Sequence, residues 1–205
     1  MTFWPANIHR LPHRGDGSKN IDTPLVRRLS LTLILFMLFA LLCGSVPSHA
    51  ESSPREYQVK AAFLYSIIKF VDWPATEAAN SSRPLCLAIL GQDPFGDDLD
   101  AIKGKSVKGR TIVIKRYRMV EDVKDCEVLF ISASERGRLT RILKQFQNSP
   151  ILTVADQEGF CQAGGMINFI TVTNKISFEI NTAAAHRVQL HISSQLLKLA
   201  KIVVE

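Results

Sequence analysis

The segment Gly91-Gln92-Asp93-Pro94-Phe95-Gly96 lies between a strand-like run and a helix-like one, where nucleotide-binding folds keep a phosphate loop. It lacks the Lys-Ser/Thr pair of a P-loop and does not follow G-x-G-x-x-G, so it does not encode phosphate chemistry. Asp93, Asp97 and Asp98 crowd the start of the next segment. Carboxylates suit a helix start but repel a phosphate placed there. The stretch therefore reads as a turn with helix-capping acids.

Metal chemistry has no better footing. Asp97, Asp98 and Asp100 show neither EF-hand spacing nor a neighbouring histidine. His186 and His191 stand five apart, whereas zinc pairs on a helix stand four apart so that both share a face. They read as surface or partner contacts. No metal or cofactor is expected.

A serine nucleophile wants a G-x-S-x-G elbow, which is absent. Cys161 has acidic neighbours in Asp156 and Glu158, which raise a thiol pKa and make a poor nucleophile. No catalytic set emerges, and an enzyme is not expected. Lys103, Lys105, Lys108, Arg110, Lys115, Arg116 and Arg118 form the strongest charge feature. Lysines of this kind protect an edge strand from aggregation, and they also suit an acidic protein or membrane headgroups. The solvated edge is the favoured reading.

The elements that must position these groups follow from periodicity. A helix over residues 55–74 is expected, capped by Ser53 and with Pro54 suited to its first turn. Val59, Phe63, Ile67 and Phe70, flanked by Ala61, Leu64, Ile68 and Val71, give it an apolar surface wider than the usual stripe. Burial on nearly all sides is expected, by its own domain or a partner. A polar loop over 75–83 follows. Strands are expected at Leu85–Leu90, Thr111–Lys115, Cys126–Ile131 and Ile151–Val154, and helices at Pro94–Lys103 and Ser134–Gln147. Met166–Val172 and Lys175–Ile180 flank Thr173-Asn174 as an antiparallel hairpin, and one last helix runs from Thr182 to Lys201 with Asn181 as its cap. The fold class is α/β: a single doubly wound, mainly parallel sheet (Rossmann/flavodoxin-like) with a C-terminal antiparallel hairpin and helix.

Residues 1–50 read as an export leader. Arg27 and Arg28 precede an uncharged apolar run to Cys43, and Ser48-His49-Ala50 offers the small residues of a cleavage site. Cleavage is expected after Ala50, leaving residues 51–205 as one domain in the periplasm. The run is short for a membrane span, Ala40-Leu41-Leu42 is not a lipobox, and Val26-Arg27-Arg28-Leu29-Ser30 matches the twin-arginine signal poorly. The long charged stretch before Arg27 suggests a true start downstream of Met1. Without the leader, 20 basic residues face 17 acidic ones, a net charge of +3. So mild a balance, in such a compartment, argues against nucleic acid.

Export favours disulfides, and Cys86, Cys126 and Cys161 allow one bridge and one leftover thiol. Cys86 and Cys126 both lie on strand-like runs whose ends neighbouring parallel strands bring within reach. That pairing is favoured over pairings with Cys161.

The wording of the first helix, Ala61-Ala62-Phe63-Leu64-Tyr65 through Phe70-Val71-Asp72-Trp73-Pro74, resembles the opening block of the YfiR-like family. Further markers run along the chain: Leu87-Ala88-Ile89-Leu90-Gly91, Lys105-Ser106-Val107 and Cys126 to Ser132, then Ile167-Asn168-Phe169, Phe178-Glu179-Ile180-Asn181 and Ile192 to Ala200. The resemblance implies a periplasmic repressor that binds the periplasmic domain of an inner-membrane diguanylate cyclase, lowering cyclic di-GMP and biofilm formation. It also implies homodimers and, in some members, capture by an outer-membrane lipoprotein. The Cys86–Cys126 pair matches a bridge of those relatives. Their second bridge is missing here, because Gly165-Met166-Ile167-Asn168 stands where some carry another cysteine. Phe178, Glu179, Ile180 and Arg187 match a region associated with cyclase binding, and Phe169 adds apolar surface nearby. Glu179, flanked by apolar neighbours on a period-2 strand, points away from them and is the preferred contact. The alternative reading is a periplasmic binding protein that holds a small molecule in a cleft at the carboxyl ends of the strands.

Overall fold

The computed structural model describes residues 54–74 and 83–204, with side chains over 56–74 and 83–201. The expected leader, its cut after Ala50, the Ser53 cap and most of the 75–83 loop lie outside the described residues. Helix α1 (Pro54–Lys69) leads into strand β1 (Val71–Asp72), and then come β2 (Leu85–Leu90), β3 (Ser106–Val107), β4 (Arg110–Tyr117) and β5 (Val128–Ile131). Helix α2 (Leu139–Phe146), β6 (Leu152–Ala155), β7 (Ile167–Val172) and β8 (Lys175–Asn181) follow. Helix α3 (Thr182–Arg187), β9 (His191–Ile192), α4 (Ser194–Leu199) and β10 (Ile202–Val204) complete the chain.

The main sheet has the order β10-β8-β7-β6-β5-β2-β4-β3. Strands β4, β2, β5, β6 and β7 are mutually parallel, and β8 returns antiparallel to β7. The chain goes from β2 to β4 on one side and then back past β2 to β5 on the other, so the order reverses at β2. β2, β5 and β6 are buried along their whole length, as apolar runs in the middle of a parallel sheet must be.

Alternating side chains feed two cores. On one face Leu87, Ile89, Phe130, Val154 and Phe178 pack against Leu64, Ile67 and Ile68 of α1. On the other, Ala88, Leu90, Leu129 and Ile131 meet Leu139, Ile142, Leu143 and Phe146 of α2. Helix α1 runs antiparallel to the parallel strands. Its first turns reach Asp156, just past the carboxyl end of β6, while Trp73 Nε1 donates to the Glu127 carbonyl, just before β5, at 3.3 Å.

Several expectations need correction. Helix α1 stops at Lys69, short of the expected end, because Val71 and Asp72 pair as β1 with Ile192 and His191. It is not enclosed: Val59 is 41% exposed, and Ala62 and Ser66 also face outward. The segment after Pro94 forms a short 3-10 helix, Gly96–Ala101, and the one before α2 is likewise 3-10, Ala133–Arg138. The expected last helix is broken in two. Gln189 adopts φ 59°, and His191 and Ile192 pair with Asp72 and Val71, which α-helical backbone cannot do. Ser193 then caps α4 by accepting from the Leu196 N–H, and β10 pairs in parallel with β8. The Asn181 cap is present, accepting from the Ala184 N–H at 2.9 Å. Thr173 and Asn174 both have positive φ, as a two-residue hairpin turn requires.

Candidate functional site

The loops after β2, β4 and β5 meet at the carboxyl edge of the sheet and enclose an open cleft of about 600 Å³. Its floor is a close approach between two loops. Gly91 has φ +92°, and a Cβ there would lie 2.4 Å from Ser134 Oγ and 2.9 Å from the Glu135 side chain. The Gln92 N–H donates to Ser134 Oγ at 2.9 Å, tying the loops together. Phe95 pins the β2 loop from beneath, edge-on between the rings of Tyr57 (5.1 Å) and Phe130 (4.8 Å).

The acids around this cleft do not cap a regular helix. Asp93 Oδ1 accepts from the Phe95 N–H at 2.8 Å, and its Oδ2 accepts from Arg116 Nε at 2.6 Å. Glu135 is buried and pairs with Arg138 at 2.6 Å. Arg118 is exposed and forms no hydrogen bond or ion pair with any described residue. Among the described residues no three of His, Cys, Asp and Glu gather as a metal site needs. His186 and His191 are exposed on different elements.

The cationic ridge is dispersed. Arg110 is buried against Glu127 and also donates to the carbonyls of Arg83 and Pro84 at 2.8 and 2.9 Å. Lys108 reaches Asp72 and the Val71 carbonyl, and Lys105 stands 5.0 Å over the Tyr65 ring. Lys103, Lys115 and Arg118 stay exposed. Strand β4 is not a bare edge either, because β3 pairs with its start.

The expected contact residues fall into two environments. Phe169, Phe178 and Ile180 belong to the core, and the Phe63 ring packs 6.4 Å from Phe169 and 5.8 Å from Phe178. Glu179 does point to the opposite face, yet it is only 8% exposed and accepts from Asn168 Nδ2 at 3.3 Å. It lines a groove of about 490 Å³ with Glu158, Gln162 and Asn168. Arg187, in the last turn of α3, is exposed.

Cys86 and Cys126 are joined, with Cα atoms 4.6 Å apart. Cys161 is a free, buried thiol. Burial first, and the Glu179 charge second, push its pKa up to about 12; the sequence neighbours Asp156 and Glu158 are not the cause.

One cluster was not anticipated. Lys60, 5% exposed, places Nζ 2.8 Å from Asp156 Oδ2, 2.5 Å from Glu56 and 4.4 Å over the Tyr57 ring. Asp156 Oδ1 and Gln157 Oε1 are buried without a hydrogen-bond partner among the described residues. The signal was a single lysine on the apolar face of α1, four residues after a glutamate.

A family model described as YfiR/HmsC-like matches residues 57–201. No curated protein matches the chain. Among solved structures, a conserved domain protein from Vibrio cholerae O1 biovar eltor str. N16961 is similar at a TM-score of 0.51 and 9% identity, covering 72% of this chain and 60% of its own. An ABC domain in complex with L-Trp from Streptococcus pneumonia is similar at a TM-score of 0.49 and 11% identity, covering 68% and 59%. The chain thus spans less than two thirds of either structure. The first likeness speaks to the fold alone, and the second supports no inference.

Proposed function

We propose, from the premise that this chain belongs to the YfiR/HmsC-like family, that it is a periplasmic regulator acting by protein contact. Its partner in this reading is the periplasmic domain of an inner-membrane diguanylate cyclase, which it holds inactive, so lowering cyclic di-GMP and biofilm formation. One observation carries the proposal: the family match runs from the second turn of α1 to the end of α4, through both cores and every strand but β10. In this reading Arg187 and the groove beside Glu179 form the contact surface, while Phe169, Phe178 and Ile180 hold β7 and β8 in shape beneath it. Residues 1–50 serve as a cleaved export signal, and the protein works as a homodimer. An outer-membrane lipoprotein is the candidate antagonist.

The test is cellular cyclic di-GMP in a strain lacking this gene, with and without the suspected cyclase. A rise that disappears in the double deletion is the expected result. An unchanged level across several growth conditions would sink the repressor reading while leaving the fold untouched.

A further inference from the structure

We propose that the cleft at the carboxyl ends of β2, β4 and β5 binds a small organic anion, with the Arg118 guanidinium holding its carboxylate or phosphate oxygens. Three independent observations converge on it. The first is topological. The strand order reverses at β2, so the connections leaving neighbouring strands diverge and open a crevice, where open α/β sheets take their ligands. The cleft lies in that crevice, and its volume of about 600 Å³ suits a metabolite.

The second observation is electrostatic. Both acids of the lining are already compensated, Asp93 by Arg116 and Glu135 by Arg138. The cation left over is Arg118, which has no partner among the described residues. Asp93, the one aspartate of the lining, therefore repels an anion less than a bare carboxylate would. A planar, permanently charged guanidinium suits two oxygens of a carboxylate or phosphate.

The third is that the floor is preformed. A side chain at position 91 would collide with Ser134 and Glu135, so glycine keeps the β2 and β5 loops in contact and the cleft clear above them. The Gln92-to-Ser134 and Ser134-to-Ser132 hydrogen bonds hold that geometry without a ligand. A site ordered in advance loses less affinity to loop ordering. It is also lined by none of Glu158, Glu179 and Arg187, so its failure would leave the repressor reading intact.

The experiment titrates the protein as isolated with succinate and, separately, with glycerol 3-phosphate, holding ionic strength constant with chloride. Backbone amide and arginine side-chain NMR shifts are followed. Saturable shifts at Gly91, Gln92, Ser134 and Arg118 are expected, with affinity about tenfold or more weaker in Arg118→Gln. Arg118 is exposed, so that variant keeps the wild-type melting temperature. Saturation by succinate alone assigns a carboxylate ligand, by glycerol 3-phosphate alone a phosphorylated one, and by both a general oxyanion site. No saturable shift with either probe, or equal affinity in Arg118→Gln, overturns the proposal.

Discussion

The Glu127 carboxylate accepts a hydrogen bond from the backbone N–H of Cys86 at 2.8 Å, directly beside the disulfide that Cys86 makes with Cys126. The other Glu127 oxygen takes the Arg110 guanidinium from the first residue of β4. The amino ends of β4, β2 and β5 are therefore clamped by a covalent bond, a buried ion pair and a backbone hydrogen bond. The carboxyl ends of the same three strands are open and carry the cleft.

Removing the bridge should cost stability without changing the fold. It closes a loop across a sequence separation of 40. Loop-closure entropy for that length corresponds to about 4 kcal/mol. A Cys86→Ala/Cys126→Ala double variant is expected to lose that order of stability in urea denaturation, with native-like circular dichroism below the transition. An unchanged midpoint would refute the loop-closure account of the bridge.

Breaking the ion pair from one side should be worse than removing both charges. Arg110→Met strands a buried carboxylate and is expected to cost about 3–5 kcal/mol. Adding Glu127→Gln removes that stranded charge while keeping an oxygen to accept the Cys86 N–H, so the double variant should recover part of the loss. A double-mutant cycle by chemical denaturation checks this, and strict additivity would contradict it.

The Cys161 thiol should resist alkylation at pH 8 in the native protein and react only on unfolding. Its pKa is raised from 9.0 to about 12, first by burial and then by Glu179. Between those values the unfolded chain has released a proton that the folded chain still holds. Stability therefore falls as pH rises from 9 towards 12, and below 9 the thiol makes no difference. Cys161→Ala should flatten that decline relative to wild type. Parallel pH curves for the two proteins would refute the assignment.

Arg187→Glu is expected to relieve repression while keeping the wild-type melting temperature, because its side chain is exposed. Glu179 demands a gentler probe. It is 8% exposed and bonded to Asn168, so a lysine there would disturb β7 and β8 as well as any contact. Glu179→Gln preserves shape and removes only charge. Repression by a stably folded Arg187→Glu/Glu179→Gln protein at the wild-type level would remove this surface from consideration.

The amino-acid sequence by itself determined the parallel α/β core, the β7–β8 hairpin and the Asn181 cap. These are local properties: apolar run length, residues that tolerate a tight turn, and a side chain three residues from the N–H it caps. It also carried the family wording, since that is a pattern in order along one chain. Only the tertiary structure decided the rest. A heptad-like apolar spacing from Ala185 to Leu199 reads as one helix, yet pairing of His191-Ile192 with β1 and of Ile202–Val204 with β8 outweighed local propensity and broke it. The seven cations from Lys103 to Arg118 look like one ridge in sequence. Pairing with Glu127, Asp72, Tyr65 and Asp93, each at least 17 residues from its partner, spends most of them. That Arg118, alone of the three left unpaired, lines the cleft above the Gly91 floor depended on which distant groups the fold brought together, and short-range pattern carries no record of that.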